Sequence, residues 1–251
     1  MRDTNHGVIS ELPVASELQY ASISTGDAAL AELNLLDPSV QRELEWALWS
    51  QFAGRSLDIL IALSMILLLL PLMVVIAVAI MVVDPGPVLF SHRRVGRSGT
   101  QFSCYKFRSM YVGAEAILDK VLANSPELRL EWAKGQKLAN DPRVTPLGHF
   151  LRITSLDELP QLFNVLVGQM SVVGPRPITR SELARYGRHA SAYLAVRPGL
   201  TGLWQVTRTD ETSYQRRVAT DVLYVRNKSL ALDCKILIAT VPAVLTRRGA
   251  I

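Results

Sequence analysis

An uninterrupted run of uncharged, mostly apolar residues extends from Ile59 to Val83, a stretch of 25 positions bounded by Asp58 and Asp84. About 20 apolar residues are enough for an α-helix to cross the hydrocarbon core of a bilayer. Soluble domains seldom bury a helix that is apolar on all sides over this length. The stretch also lies too far from the start of the chain to be a signal peptide. The pattern therefore predicts a membrane helix.

Pro71 lies at the centre of this stretch, with 12 uncharged residues on either side. Proline removes a backbone hydrogen bond and kinks or breaks a helix. Each half would rise about 18 Å, well short of a hydrocarbon core of about 30 Å. Two geometries compete: a kinked spanning helix, and a re-entrant helix, broken at Pro71, that enters and leaves on one face. The arginines that flank the stretch favour two cytoplasmic ends, and hence the re-entrant hairpin. They are Arg55, Arg93, Arg94 and Arg97.

Shorter patterns after Val83 predict a domain that combines helices with a small sheet. The turn Asp84–Pro87 is followed by two short strand-like stretches, Val88–Phe90 and Phe102–Phe107, which predict a β-hairpin. Helical periodicity predicts amphipathic helices on the surface of this domain or against the membrane. They are expected at Ala114–Leu122, Glu127–Lys137, Ser181–Leu194 and Leu230–Leu245. The predicted fold class is α+β and predominantly helical.

Charge and patterning together divide the chain into three regions. Residues 1–50 carry two basic and eight acidic residues, and we expect a largely disordered acidic tail with a short helix at its end. Residues 51–84 form the predicted re-entrant helix, and residues 85–251 form the compact domain. The chain beyond residue 50 carries 25 basic and 14 acidic residues. Such a basic body is typical of proteins that bind nucleic acid, anionic lipid or a phosphorylated substrate.

Two adjacent carboxylates, Asp157 and Glu158, stand at a predicted helix start. Ser155 is a favourable N-cap, Glu158 gives the spacing of a capping box, and Pro160 is tolerated in a first helical turn. The simplest interpretation is a capped helix whose acidic residues are favoured by the helix dipole. Paired carboxylates near arginines and glycine turns also match a metal-bridged phosphate site, in which one carboxylate remains as a nucleophile.

Basic residues recur on both sides of the acid pair, in positions suited to grip phosphate oxygens. Lys106 and Arg108 flank one aromatic residue, and Arg152 lies one helical turn before the acid pair. Further arginines stand in proline- and glycine-rich turns downstream. The candidate phosphate ligands are Lys106, Arg108, Arg152, Arg176 and Arg197. The two cysteines and four histidines show no metal-ligand spacing.

A set of short motifs occurs in the order found in one known family. The motifs are Pro71, Gly86-Pro87, Arg94-Val95-Gly96, Lys106-Phe107-Arg108-Ser109-Met110, Asp141-Pro142-Arg143, Ser155-Leu156-Asp157-Glu158-Leu159-Pro160-Gln161, Gly174-Pro175-Arg176-Pro177 and Arg197-Pro198-Gly199-Leu200-Thr201-Gly202-Leu203-Trp204-Gln205-Val206. In these motifs the chain resembles the bacterial sugar transferases of the monotopic phosphoglycosyl transferase type, in their short, catalytic-core form. The likeness runs from about Arg55 to the C-terminus. Leu70 departs from the pattern, because many small members have Ser before the proline.

The resemblance implies transfer of a sugar-1-phosphate from a UDP-sugar to polyprenyl (undecaprenyl) phosphate, with release of UMP. That reaction is the first membrane step of exopolysaccharide, capsule or O-antigen synthesis. The resemblance also implies a re-entrant helix hairpin bent at Pro71 in the bacterial inner membrane. Residues 85–251 would then be the catalytic domain on the cytoplasmic face. UDP-sugar, undecaprenyl phosphate and membrane lipid are the expected partners; nucleic acid is not expected, and homo-oligomers are left open.

The resemblance assigns roles to individual residues. Our hypothesis makes Asp157 the nucleophile that forms an aspartyl-phosphosugar and makes Glu158 the ligand of Mg²⁺, the expected cofactor. Lys106, Arg108, Arg152 and Arg176 match cationic positions near the phosphates. Arg197 and the turn formed by Pro198, Gly199, Thr201 and Gly202 are expected to shape the nucleotide pocket. Asp221 matches a recurrent acid whose role, catalytic or structural, stays open.

Three other classes of protein remain to be weighed against this hypothesis. A membrane-anchored basic binding protein would need the cationic clusters but could dispense with Asp157 and Glu158. A polytopic transferase would need many spanning helices, and only one segment qualifies here. A conventional glycosyltransferase would use a different acceptor and would form no aspartyl intermediate.

Overall fold

The computed structural model describes residues 38–135, 138–208 and 213–245. The tail predicted to be disordered lies, up to residue 37, outside the described residues. The chain divides into two units, Met1–Trp49 and Ser50–Ile251. The second unit carries all of the features considered below. Its predicted class is confirmed, because it is mostly helical with two small two-stranded sheets.

The first helix, α1, extends from Pro38 to Val83 and continues through Pro71. The predicted break at Pro71 is therefore absent from the backbone assignment, and the re-entrant hairpin stays a prediction. Apolar residues on both sides of the proline, Ile66 and Met73, are buried against the rest of the unit. This packing holds the backbone helical across the one hydrogen bond that proline removes. Because α1 begins at Pro38, it extends across the predicted domain boundary at residue 51, which stays a prediction.

Within α1, Phe52–Val83 is long and apolar enough to cross a membrane, as the sequence predicts. Only 22% of its most apolar window is buried within the described structure. The buried residues share one face of the helix: Ala62, Ile66, Met73, Ile76 and Ile80. The remaining faces expose leucines and valines, as expected for a helix that meets lipid on most of its surface.

The predicted β-hairpin is present and longer than expected. Strand β1 (Leu89–Val95) pairs antiparallel with β2 (Gln101–Phe107), with Leu89 opposite Phe107. Ser98, at φ 57°, lies in the turn between the strands. Phe102 and Cys104 of β2 share a core cluster with Ala62 and Ile66 of α1, and Phe107, on the other face of the strand, shares a second cluster with Met73. The hairpin is therefore packed directly on the apolar helix.

Helices account for most of the remaining chain. They are α2 (Ala114–Asn124), α3 (Pro126–Gly135), α4 (Pro146–Ile153), α5 (Gln161–Leu166), α6 (Arg180–Ala184), α7 (Ala190–Leu194), α8 (Leu203–Thr207), α9 (Tyr214–Arg226) and α10 (Leu230–Leu245). The single helix predicted over Ser181–Leu194 is wrong. Gly187, at φ 51°, separates α6 from α7, and a 3₁₀ turn fills the gap.

A second sheet, which the sequence analysis did not predict, joins two three-residue strands. Strand β3 (Ser171–Val173) pairs in parallel with β4 (Gly199–Thr201). The glycines beside it permit backbones to touch: a Cβ on Gly199 would lie 2.1 Å from the backbone nitrogen of Gly174. A Cβ on Gly202 would lie 2.0 Å from the carbonyl oxygen of Gly174. Only glycine fits at these two positions.

Candidate active site

Asp157 and Glu158 lie in a 3₁₀ turn, Leu156–Glu158, between α4 and α5. The predicted capping box is wrong. Ser155 adopts the left-handed conformation at φ 57°, and its side chain caps nothing. The helix proper begins at Gln161, after Pro160, so the start predicted at Ser155 is also wrong. The capping box of this region belongs to Thr179 and Glu182 at the start of α6. The acid pair is thus presented by a tight turn, so its two side chains are not spaced along a helix.

Asp157 is buried, with 7% of its surface exposed, and it lines the cleft that opens beside the turn. Burial raises the pKa of its carboxyl group, and the charge of Glu158 adds to the rise. Lys106 and Arg152 oppose this shift without cancelling it. The nearest of these charges is the Lys106 Nζ, 3.5 Å from Oδ2 of Asp157. Asp157 is a desolvated carboxylate facing a cationic cleft, which is the environment of an activated nucleophile.

Glu158 is held differently from its neighbour. Lys106 Nζ donates a hydrogen bond of 2.6 Å to Oε1 of Glu158, and Arg176 Nη2 lies 3.7 Å from the same oxygen. Burial raises the pKa of Glu158, but the charges of Arg176 and Lys106 outweigh it, so the net shift is downward. Two adjacent acids whose pKa values move in opposite directions are suited to two different roles.

Arg152 reaches the site from the last turn of α4, where its Nε donates a 2.9 Å hydrogen bond to Ser109 Oγ. The helix that carries it packs closely on the chain after β2. A Cβ on Gly148 would lie 1.9 Å from the carbonyl oxygen of Ser109. Lys106, Arg152 and Arg176 are therefore the predicted cations that the structure brings to the acid pair.

Arg108 and Arg197 are placed elsewhere. Arg108 donates to the side chain of Asp84 at 2.9 Å and to the backbone carbonyl of the same residue. It thereby ties the end of α1 to the hairpin. Arg197 donates from Nε to the carbonyl oxygen of Gly168 at 2.8 Å. Neither side chain contacts Asp157 or Glu158 in the described structure, although Arg108 lines a distant part of the same cleft.

The turn predicted to shape a nucleotide pocket contributes both to the packing around β4 and to the wall of the cleft. Pro198 is fully buried, and Gly199 and Gly202 allow β4 to approach Gly174. Thr201 lines the cleft, and its hydroxyl is hydrogen bonded to that of Thr240 at 2.7 Å. Residues just beyond the turn also line the cleft: Trp204, Gln205 and Arg208. The motif around Trp204 pointed to this segment. Nothing in the sequence pattern, however, distinguished the residues that line the cleft from those that pack in the core.

The cleft has a volume of about 2290 Å³, well above the roughly 300–1,000 Å³ of an ordinary small-ligand pocket. Lys106, Asp157, Glu158 and Arg176 line it together. Among the described residues there is no group of three or more Asp, Glu, His or Cys side chains that could enclose a metal. Mg²⁺, however, commonly binds one or two carboxylates and completes its shell with water and substrate phosphate. The acid pair fits that more open mode.

The chain is similar to known proteins over most of its length. Residues 49–247 match the family described as bacterial sugar transferase. The chain is 48% identical, over 80% of its length, to the undecaprenyl-phosphate galactose phosphotransferase of Salmonella typhimurium, of which it covers 42%. It is 46% identical to the exopolysaccharide production protein ExoY of Rhizobium meliloti, over 79% of this chain and 88% of that one.

A third relative is the UDP-glucose:undecaprenyl-phosphate glucose-1-phosphate transferase of Escherichia coli, which is 40% identical over 74% of this chain and 39% of its own length. The chain thus spans about two fifths of several of the curated relatives it matches, and most of the length of others. From the match over residues 49–247, the chain belongs to the bacterial sugar transferase family.

Proposed function

We propose that the chain transfers a sugar-1-phosphate from a UDP-sugar to undecaprenyl phosphate. The observation that carries this proposal is the pair Asp157 and Glu158, whose pKa values are shifted in opposite directions within one cationic cleft. Three relatives are named for undecaprenyl-phosphate sugar transfer or for exopolysaccharide production. The reaction would start the synthesis of an exopolysaccharide, capsule or O-antigen.

The chemistry proceeds in two displacements at one phosphorus atom. An oxygen of Asp157 forms a bond to the phosphorus that bears the sugar, and the bond to the bridging oxygen of UMP breaks with its electron pair on UMP. An oxygen of the lipid phosphate then attacks the same phosphorus, and the bond to Asp157 breaks to restore the carboxylate. The covalent intermediate lets the two anionic substrates bind in turn, so their charges never meet directly.

The surrounding cations supply electrostatic stabilisation. Lys106 bridges the two carboxylates, at 2.6 Å from Glu158 and 3.5 Å from Asp157. Arg152 and Arg176 are close enough to Asp157 and Glu158, respectively, to influence their pKa values. These groups would neutralise the charge that develops on the phosphate oxygens and on departing UMP. Mg²⁺, held by Glu158 with Asp157 nearby, would supply further neutralisation of the pyrophosphate when bound.

The contacts of α1 support a re-entrant placement in the inner membrane, with the catalytic domain on the cytoplasmic face. Just before the apolar segment of α1, Arg55 donates to the carbonyl oxygens of Val165 and Leu166, at 2.7 and 2.9 Å. Near its end, Asp84 accepts from Arg108. Both ends of the apolar segment thus bind the same polar domain. A helix crossing about 30 Å of hydrocarbon would carry its ends to opposite sides of the bilayer.

The proposed function is tested with purified protein, undecaprenyl phosphate and a panel of UDP-sugars, with released UMP as the readout. Asp157→Asn is the decisive variant, and Asp119→Asn, which changes an exposed acid on α2, is its control. We expect UMP from at least one UDP-sugar with the wild type and the control, and none with Asp157→Asn. Full activity of Asp157→Asn would reject the mechanism, and no UMP from any donor would reject the function.

A further inference from the structure

The cleft beside the acid pair continues into an apolar groove between the first and last described helices. We call it the α1–α10 groove. It is lined by Ile61, Met65, Leu162, Leu200, Leu237 and Val241. In its wall, the hydroxyl groups of Thr201 and Thr240 are hydrogen bonded to each other at 2.7 Å. The groove therefore presents mainly hydrocarbon to whatever occupies it.

The two walls of the groove belong to the most apolar exposed surfaces of the described chain. Met65 and its neighbour Leu68 are exposed on α1, the helix long enough to cross a membrane. On α10, Val241 is 60% exposed and Ile238 is 73% exposed. Exposed apolar surfaces of this extent mark contact with lipid or with another apolar partner. The groove thus opens toward the part of the molecule that would meet the bilayer.

The inner end of the groove has the opposite character. There the cleft is lined by Lys106, Arg176 and Arg208 around the acid pair. The same cleft is lined by polar and charged groups from other elements, among them Ser109, Asp141 and Arg143, whereas its described lining includes no charged residue of α1 or α10. The reacting carboxylate therefore adjoins an apolar path, the α1–α10 groove, and a polar path that carries the charged groups of the cleft. An amphiphile with an anionic head and a hydrocarbon chain matches the apolar path, whereas a sugar nucleotide matches the polar one.

We propose that the α1–α10 groove holds the first isoprene units of the acceptor's polyprenyl chain, so that its phosphate lies among the cations beside Asp157. This inference rests on the proposed function, because the acceptor is a lipid phosphate only if that function is right. The two anionic substrates would then approach Asp157 by separate paths. The lipid would reach the intermediate while the sugar remains on the polar side of the cleft.

Steady-state kinetics with a matched pair of variants tests the groove. Val241→Trp fills it, and Ile238→Trp places the same bulk on the same helix, at an exposed position that does not line the cleft. We expect Val241→Trp to raise the KM for undecaprenyl phosphate about tenfold while leaving the KM for the UDP-sugar unchanged. Ile238→Trp should match the wild type in both constants. Equal acceptor KM values in the two variants, or a raised donor KM in Val241→Trp, would overturn the proposal.

Photolabelling gives a readout that does not depend on turnover. The full chain in nanodiscs would be irradiated with a polyprenyl phosphate that carries a diazirine in its first isoprene unit, and the labelled peptides would be mapped. We expect label in α1 near Met65 and in α10 near Val241, lost on adding unlabelled polyprenyl phosphate and weakened in Val241→Trp. Label confined to other helices, or label displaced equally by phospholipid, would overturn the proposal that the groove binds the acceptor. Wild-type UMP release would still decide the proposed function independently.

Discussion

Two buried acids in this chain have environments that lead to different roles. Asp157 lines an open cleft and has a lysine nitrogen 3.5 Å away. Asp221 is 2% exposed, does not line that cleft, and accepts a 2.7 Å hydrogen bond from the hydroxyl of Tyr186. Burial raises the pKa of both carboxyl groups. The comparison teaches that a raised pKa alone does not identify a reactive acid; access to a ligand-sized space does.

The surroundings of Asp221 form a buried polar cluster, of which only Arg217 also lines the cleft in the described structure. Arg217 lies between Asp221 and Glu182, at 4.0 Å and 3.5 Å. Tyr186 packs edge-on against Tyr193 and Tyr214. This cluster connects α6, α7 and α9. The sequence analysis left the role of Asp221 open, and these contacts assign it to the scaffold.

The largest expected effect separates the two acids by activity. Asp157→Asn keeps the size of the side chain but removes the nucleophile, and we expect UMP release to fall at least about 10³-fold. Asp221→Asn should retain activity within about threefold, because its side chain does not reach the cleft. UMP release under identical conditions checks both. A comparable loss in both variants would show that Asp221 takes part in the reaction.

Removing the shared cation should have the next largest effect. Lys106→Met deletes the charge that lies against both carboxylates, and we expect a fall in turnover of about 10²-fold. Because Lys106 lowers the pKa of Asp157, its loss raises that pKa further. The activity requires ionised Asp157 and is lost as pH falls, so the acid limb of the pH–rate profile should move to higher pH. Lys120→Met, at an exposed position on α2, is the control that should leave the profile in place.

The third prediction tests the placement of Arg108. If it ties α1 to the hairpin, Arg108→Met and Asp84→Asn should each destabilise the protein by about 1–3 kcal/mol, because the first leaves Asp84 without its cation and the second removes the charge that pairs with Arg108. Neither should change the KM for the UDP-sugar by more than about twofold. Thermal unfolding in detergent and donor kinetics supply the two readouts. A raised donor KM in Arg108→Met but not in Asp84→Asn would restore the sequence-based role of Arg108 as a phosphate ligand.

The smallest expected effect concerns stability and pH at Asp221. Its pKa is raised by burial from 3.8 to about 6, while Tyr186 and Arg217 act in the opposite direction. The folded state thus holds this proton more tightly than the unfolded state. Its stabilising contribution is complete below about pH 4 and is lost as pH rises through about 6. The free energy of unfolding should therefore decline between pH 4 and 7, and Asp221→Asn should remove roughly 1–3 kcal/mol of that decline. Urea midpoints over this pH range provide the measurement. An unchanged decline would place its source at another group.

The sequence predicts the acid pair and its nearest cations, but it does not predict how they are presented. Lys106 and Arg108 stand two residues apart, a spacing that places both on one face of a strand. The strand β2 ends at Phe107, so the alternation fails and Arg108 binds Asp84. Ser155 has the composition of an N-cap, but the left-handed backbone there gives a turn. The helix and capping propensities of single residues cannot predict such a conformation, because tertiary packing imposes it.

The fold, like the site, has features that the sequence predicts and features that it does not. Long apolar segments, such as Ile59–Val83 within α1 and Leu230–Leu245 in α10, are recognisable as helices from the sequence, although the continuation of α1 through Pro71 is not. Strands β3 and β4 have three residues each, too few to display an alternating pattern. The two strands meet where Gly174 contacts Gly199, residues that are far apart in the sequence. In the sequence, the only trace of this contact is the presence of the glycines themselves. Motif order pointed to these glycines, but only the described packing shows that they let two backbones approach each other; their expected part in a nucleotide pocket stays a prediction.

Mass spectrometry of the enzyme after incubation with UDP-sugar alone tests the central claim most directly. Without the lipid acceptor, the first displacement should proceed and the second should stop. We predict a mass increase of one sugar-phosphate on the peptide that contains Asp157, formed with one equivalent of UMP and removed by undecaprenyl phosphate. UMP release without an adduct, or an adduct on Glu158 or another residue, would contradict the account.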